Sequence, residues 1–192
     1  MLFNSVQFAV FFIIVYALYL FLGHKYQNRM LLVASCIFYG AWDWRFLFLM
    51  FSSISVDYYC ALRIHATEDE RVRKRFIFLS IVVNLTILVF FKYFNFFTLN
   101  LDVLLKHLGL SINIRLLKII LPLGISFYTF EAMSYVIDVY RRKMEPTKNY
   151  VNYALFVTFF PHLIAGPIMR AKDLLPQIAF PRKLSLDKFY EG

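Results

Sequence analysis

The chain has 192 residues, 60% of them hydrophobic, with 23 Phe, 13 Tyr and a mean hydropathy of +0.61, a composition that a water-soluble domain would not keep in solution. Its 21 basic and 12 acidic residues leave a net charge of +9. That charge lies in loops and tail rather than on one soluble face, so it points to membrane orientation and anionic headgroups and away from nucleic acid.

A spanning helix needs about 20 mostly apolar residues, and apolar runs occupy 6–22, 30–44, 46–62, 76–91, 116–139 and 151–168. The expected fold is an all-α, polytopic transmembrane protein with about five to six membrane segments, some short or re-entrant. No basic residue precedes the first run and no small-residue cleavage site follows it, so it reads as a retained span. Basic residues then cluster at Lys25 and Arg29, at Arg63, Arg71, Arg73, Lys74 and Arg75, and at Arg141, Arg142, Lys143 and Lys148. Placing those loops in the cytoplasm puts the N-terminus outside.

With that orientation Trp42, Asp43, Trp44 and Arg45 reach the outer face, where tryptophans suit the headgroup level. Asn84 in the fourth run is expected to hydrogen-bond a neighbouring helix, and Lys92 to snorkel among interfacial aromatics. After it, Leu101, Leu104, Leu105 and Leu108 share one stripe while Asp102, Lys106 and His107 lie off it. This predicts a short helix in the outer interface, stopped by Gly109. A full crossing by 151–168 would leave Arg170, Lys172, Arg182, Lys183 and Lys188 outside, whereas a re-entrant segment returns that tail to the cytoplasm. No internal period or linker composition is visible, so residues 1–192 form one domain.

Two of the apolar runs are interrupted where a plain membrane helix would continue. The first break is Leu121-Pro122-Leu123-Gly124-Ile125-Ser126-Phe127-Tyr128-Thr129-Phe130, and the second is Phe159-Phe160-Pro161-His162-Leu163-Ile164-Ala165-Gly166-Pro167-Ile168-Met169-Arg170. An unsatisfied backbone group costs several kcal/mol in hydrocarbon, so such breaks persist only inside protein or against a water-filled cavity. Beyond the first break Tyr128, Glu131, Tyr135 and Asp138 punctuate an apolar helix, and Glu131, Tyr135 and Asp138 recur at spacings of four and three that give one polar face, with Asp138 within a turn of Arg141 and Arg142. In the second, His162 is an ionisable group in an apolar run and Arg170 follows the Gly166-Pro167 turn. These six residues are candidates for shaping a site or tunnel, against the alternative of a polar seam that only joins helices. His65 and Asp69 have an H-x-x-x-D spacing, but their charged surroundings read as a solvated turn. Cys36 and Cys60 lack C-x-x-C spacing and read as packing residues, and no metal site is expected.

Together with Phe91-Lys92-Tyr93-Phe94-Asn95-Phe96, Ser134-Tyr135-Val136-Ile137-Asp138-Val139-Tyr140-Arg141 and Asp173-Leu174-Leu175-Pro176-Gln177, the two broken stretches resemble the membrane-bound O-acyltransferase family, in its bacterial alginate O-acetylation branch. The resemblance covers the chain from about residue 30 onward. It implies a multi-pass enzyme of the bacterial inner membrane whose helices surround a passage. No cofactor is bound in such an enzyme. Acetyl-CoA or another acyl thioester donates from the cytoplasm, and a periplasmic acetyltransferase and the polysaccharide synthesis machinery are the implied partners. The family's central histidine lies in later helices in a Trp-His-Gly context. This chain contains no such sequence before Phe189-Tyr190-Glu191-Gly192, so no catalytic residue is expected here and the chain resembles an N-terminal part. In relatives the position of His162 often carries glutamine, which cannot act as a base. Half of a secondary transporter with discontinuous helices, or an inactive membrane scaffold, are the competing readings.

Overall fold

A computed structural model describes residues 5–108, 120–163, 166 and 169–181, and every element among them is an α-helix. The order is α1 (Val6–Phe21), α2 (His24–Asp43), α3 (Arg45–Ala66), α4 (Glu70–His107), α5 (Ile125–Tyr140), α6 (Tyr150–Thr158), α7 (Phe160–Leu163) and α8 (Ala171–Ala179). Two of them, α3 and α4, are long and apolar enough to cross a membrane, while α1 is apolar but shorter. The expected larger number of spans thus meets helices that are shorter or broken.

Helices α3, α4 and α5 pack on one another, α2 packs on α1, α3 and α6, and α6 lies against α8. The core runs through their common centre, with Phe38, Met50, Ile54, Tyr135, Leu155 and Phe156 at most 1% exposed. Side chains rather than backbone ladders tie the ends together. Asn28 of α2 donates to the Asn152 side chain at 3.1 Å and to the Ile178 carbonyl at 2.7 Å, joining α2, α6 and α8. Phe8 and Phe11 of α1 meet Phe38 and Phe160 ring to ring at 5.3 to 6.5 Å, a spacing typical of favourable aromatic pairs.

Helix α4 corrects one expectation. The leucine-striped segment after the fourth run is not a separate interfacial helix but the continuation of α4, which extends unbroken through 38 residues. The reason is local: no Gly or Pro occurs between Glu70 and His107, so nothing interrupts the hydrogen-bond ladder. At 1.5 Å per residue α4 is roughly 57 Å long, well beyond a hydrocarbon core of about 30 Å. Gly109, the expected stop, lies outside the described residues.

The start of the fifth run also differs. Helix begins at Ile125, and residues 120–124 are not helical. Pro122 and the left-handed Gly124 (φ 71°) set the corner, and the Gly124 carbonyl accepts the first ladder bonds from Phe127 and Tyr128. The expected start near residue 116 lies outside the described residues.

The sixth run is broken where Pro161 and its neighbours predicted. Helix α6, capped by the Asn149 side chain on Val151 N at 2.9 Å, stops at Thr158, and α7 is a single turn. The freed Phe160 amide donates to Ser35 Oγ of α2 at 3.2 Å, while His162 and Leu163 amides turn back to the Phe159 carbonyl. The break therefore survives burial because its donors find partners. Helix α8 then buries Leu175 and Ile178 and exposes Lys172 and Gln177, an amphipathic helix that the single Pro176 had obscured in the sequence.

Candidate functional site

The two broken stretches meet in space. A Cβ on Gly124 would lie 2.6 Å from the Leu163 carbonyl oxygen, and one on Gly166 would lie 2.3 Å from His162 Cβ. Only glycine allows backbone to approach this closely at both positions. Two turns farther along α5, Glu131 Oε1 stands 3.2 Å from His162 Nε2, with the glutamate side chain 0% and the histidine 9% exposed. The approach is close but off the direction of a hydrogen bond, and both Glu131 oxygens lack a hydrogen-bond partner among the described residues.

Other polar side chains extend this pair into a seam. On the same face of α5, Tyr128 is buried, and Tyr135 Oη accepts the Thr147 amide at 3.1 Å. Tyr153 of α6 is fully buried and packs against Tyr135 with ring centroids 4.5 Å apart and the planes tilted by 32°. Its hydroxyl, like those of Tyr39 and Tyr128, is buried without a hydrogen-bond partner among the described residues. Unpaired buried polar groups are costly, and here they concentrate in one seam.

Asp57 anchors the far side. It accepts Ser80 Oγ at 2.6 Å and Asn84 Nδ2 at 2.8 and 2.9 Å, and Asn84 in turn accepts Ser53 Oγ at 2.8 Å. This joins α3 to α4 through a satisfied buried carboxylate and fulfils the expectation that Asn84 bonds a neighbouring helix. Sequence reasoning missed Asp57 and Tyr153. Asp57 did carry a signal, as the lone carboxylate in the 46–62 apolar run.

Of the six candidate residues, the fold brings Tyr128, Glu131, Tyr135 and His162 together. It leaves the other two aside. Asp138 is half-buried below Tyr135, and Arg142, one of the two arginines expected to pair with it, instead pairs with Glu68 of the α3–α4 turn. Arg170 is exposed at the start of α8. His65 is exposed at the end of α3, and Asp69 caps α4 by accepting Arg71 N at 2.8 Å, so neither joins the seam. An apolar cavity of about 330 Å³, lined by Phe12, Tyr16, Leu31, Phe159, Pro161 and Ile178 among others, adjoins the second break, and neither Glu131 nor His162 lines it. No group of His, Cys, Asp and Glu among the described residues is arranged to hold a metal ion.

The comparisons with known proteins agree on one group. The chain is 44% identical over its whole length to a probable alginate O-acetylase of Pseudomonas aeruginosa and 42% identical to that of Pseudomonas putida. It is 33% identical, over 77% of its length, to a peptidoglycan O-acetyltransferase of Helicobacter pylori. It spans 37%, 40% and 32% of the lengths of these relatives. No family model and no solved structure matches it. The similarity to the alginate O-acetylases takes in α1 as well as the residues from 30 onward, and the chain belongs to their family.

Proposed function

We propose that the protein to which these residues belong is a membrane O-acetyltransferase. It takes acetyl from a cytoplasmic thioester, acetyl-CoA or a chemical equivalent, and delivers it toward hydroxyls of an exported polysaccharide such as alginate. The observation that carries the reading is 44% identity along the whole chain to a probable alginate O-acetylase. The docking of the two breaks, with Glu131 against His162, supports it: polar, irregular backbone at membrane depth suits the wall of a passage.

In this reading the protein is a multi-pass protein of the bacterial inner membrane. The α3–α4 and α5–α6 loops face the cytoplasm and the N-terminus lies outside, as the basic loops favour. A periplasmic acetyltransferase and polymer synthesis machinery receive the group. Chemically, a hydroxyl oxygen adds to the thioester carbonyl, a base accepts the hydroxyl proton, and the thiolate departs as the carbonyl reforms. Donors around the carbonyl stabilise the transient oxyanion. We assign the base to the remainder of the protein. Tyr128, Glu131, Tyr135 and His162 hold the geometry of the wall and keep bulk water from the thioester.

The test is complementation of a strain unable to acetylate its exported polymer, with acetyl groups on that polymer counted by proton NMR. The full-length protein is expected to restore acetylation and the 192-residue chain alone to restore none. Restoration by the short chain would refute the assignment of the base elsewhere, and no acetylation by the full-length protein would refute the activity itself.

A further inference from the structure

The first turn of α2 borders a small polar cavity of about 160 Å³ that it shares with the start of α6 and the end of α8. His24, Lys25 and Arg29 face it from α2, Asn149 and Asn152 from the α6 end, and Ala179 from α8. Its lining is one-sided in charge. Among the described residues no carboxylate borders the cavity, and neither Lys25 nor Arg29 forms an ion pair.

The side-chain acceptors of both α6-end asparagines are already engaged. Asn149 Oδ1 takes the Val151 amide at 2.9 Å and the Asn152 amide at 3.4 Å, and Asn152 Oδ1 takes Asn28 Nδ2 at 3.1 Å. What these two side chains have left to offer is donors. The Ala179 carbonyl meets His24 Nε2 at 3.1 Å, while His24 Nδ1 is buried without a hydrogen-bond partner among the described residues. Helix α2 also begins here with no side-chain cap, so its first amides add the positive end of a 20-residue helix.

Past the cations, the same side of α2 turns apolar. Leu32 and Cys36 follow Lys25 and Arg29 on one stripe at helical spacing, and the flanking Val33 and Ile37 are 57% and 53% exposed. One helix side thus offers positive charge at its end and exposed hydrocarbon along the next turns.

We propose that this cavity holds the phosphate of an anionic phospholipid such as phosphatidylglycerol, drawn from the leaflet that the α1–α2 turn reaches, with an acyl chain lying along the Leu32–Cys36 side of α2. The cavity is smaller than the roughly 300 Å³ at which small-molecule pockets begin, so it takes a phosphate group and leaves the rest of the molecule outside. Basic pockets between helices at a membrane surface recognise such headgroups, and the apolar stripe receives what a soluble phosphate lacks. Binding of this kind involves no acetyl transfer, and its test does not depend on turnover.

The experiment places the full-length protein in nanodiscs of mixed phosphatidylcholine and phosphatidylglycerol, and native mass spectrometry counts the lipids retained on release. Phosphatidylglycerol should be kept in preference to phosphatidylcholine. Lys25→Gln and Arg29→Gln, both at exposed positions, should each weaken its retention about fivefold, the usual contribution of one basic residue near an anionic surface. Arg75→Gln removes an exposed cation of α4 that does not border the cavity, and should change retention by less than about twofold. Excess inorganic phosphate should fail to displace the lipid. Melting temperatures check that each variant is folded, and if one α2 variant unfolds the other decides. No preference for phosphatidylglycerol, retention unchanged in the folded α2 variants, an equal loss in Arg75→Gln, or displacement by phosphate overturns the site.

Discussion

Helix α4 and the α5–α7 region solve the membrane problem in opposite ways. The long helix satisfies its backbone internally and needs few neighbours, so Phe78, Phe90, Phe96, Phe97 and Leu104 stay exposed along it. The short helices leave amides and carbonyls free at their breaks, and they are buried: six of the nine residues of α6 and eight of the sixteen of α5 are inaccessible. Continuity permits exposure to lipid, whereas interruption requires enclosure. The contrast also separates surfaces, with apolar side chains exposed along α4 and polar groups collected at the broken pair.

The largest loss is expected where the long helix α4 is tied to α3 through buried polar groups. Asn84→Leu leaves Asp57 buried with Ser80 as its one remaining donor, and a carboxylate deprived of a partner costs about 3 kcal/mol or more. Unfolding in mixed micelles should show that loss, and a change below about 0.5 kcal/mol would mean that Asp57 is protonated or hydrated. Next is Gly124→Ala, which combines a left-handed backbone with a Cβ driven into the Leu163 carbonyl and should destabilise by about 2 kcal/mol. The same assay on Gly23→Ala, where a Cβ meets nothing within 4 Å, supplies the control.

A smaller effect tests whether His162 positions or reacts. His162→Gln keeps an amide donor for Glu131 but has no base, so acetylation by the full-length protein should change by less than about twofold. A loss of about 10² or more would make His162 a base and move the chemistry into this chain. The smallest effect is expected on the exposed face of α4, where Leu104→Ser, beyond the expected span, should shift stability by less than about 0.5 kcal/mol. A large loss there would show that this face is covered by protein.

Pro122, Gly124, Pro161 and Gly166 made the breaks legible in the sequence, because each acts on its own backbone and leaves a local mark. The polar residues between them were legible as a class, since an ionisable group in an apolar run is conspicuous. Their pairings were not. Glu131 finds His162, and Asp57 finds Ser80 and Asn84, through packing of separate helices, and no spacing within one segment encodes such a meeting. Arg142 shows the reverse error: its nearness to Asp138 in sequence suggested a pair, but the left-handed turn swings it to Glu68. The merging of the leucine stripe into α4 was hidden because amphipathic pattern describes a face and says nothing of where a helix starts.

The clasp made by Asn28 sets an order on assembly. Its amide bonds the carbonyl of Ile178, a residue 150 positions later in the chain. During synthesis the contact of that amide with Asn152 of α6 can form first, and the bond to Ile178 closes only once α8 has been made. Biogenesis of this protein should thus be most vulnerable to quality-control proteolysis in the interval before α8 arrives.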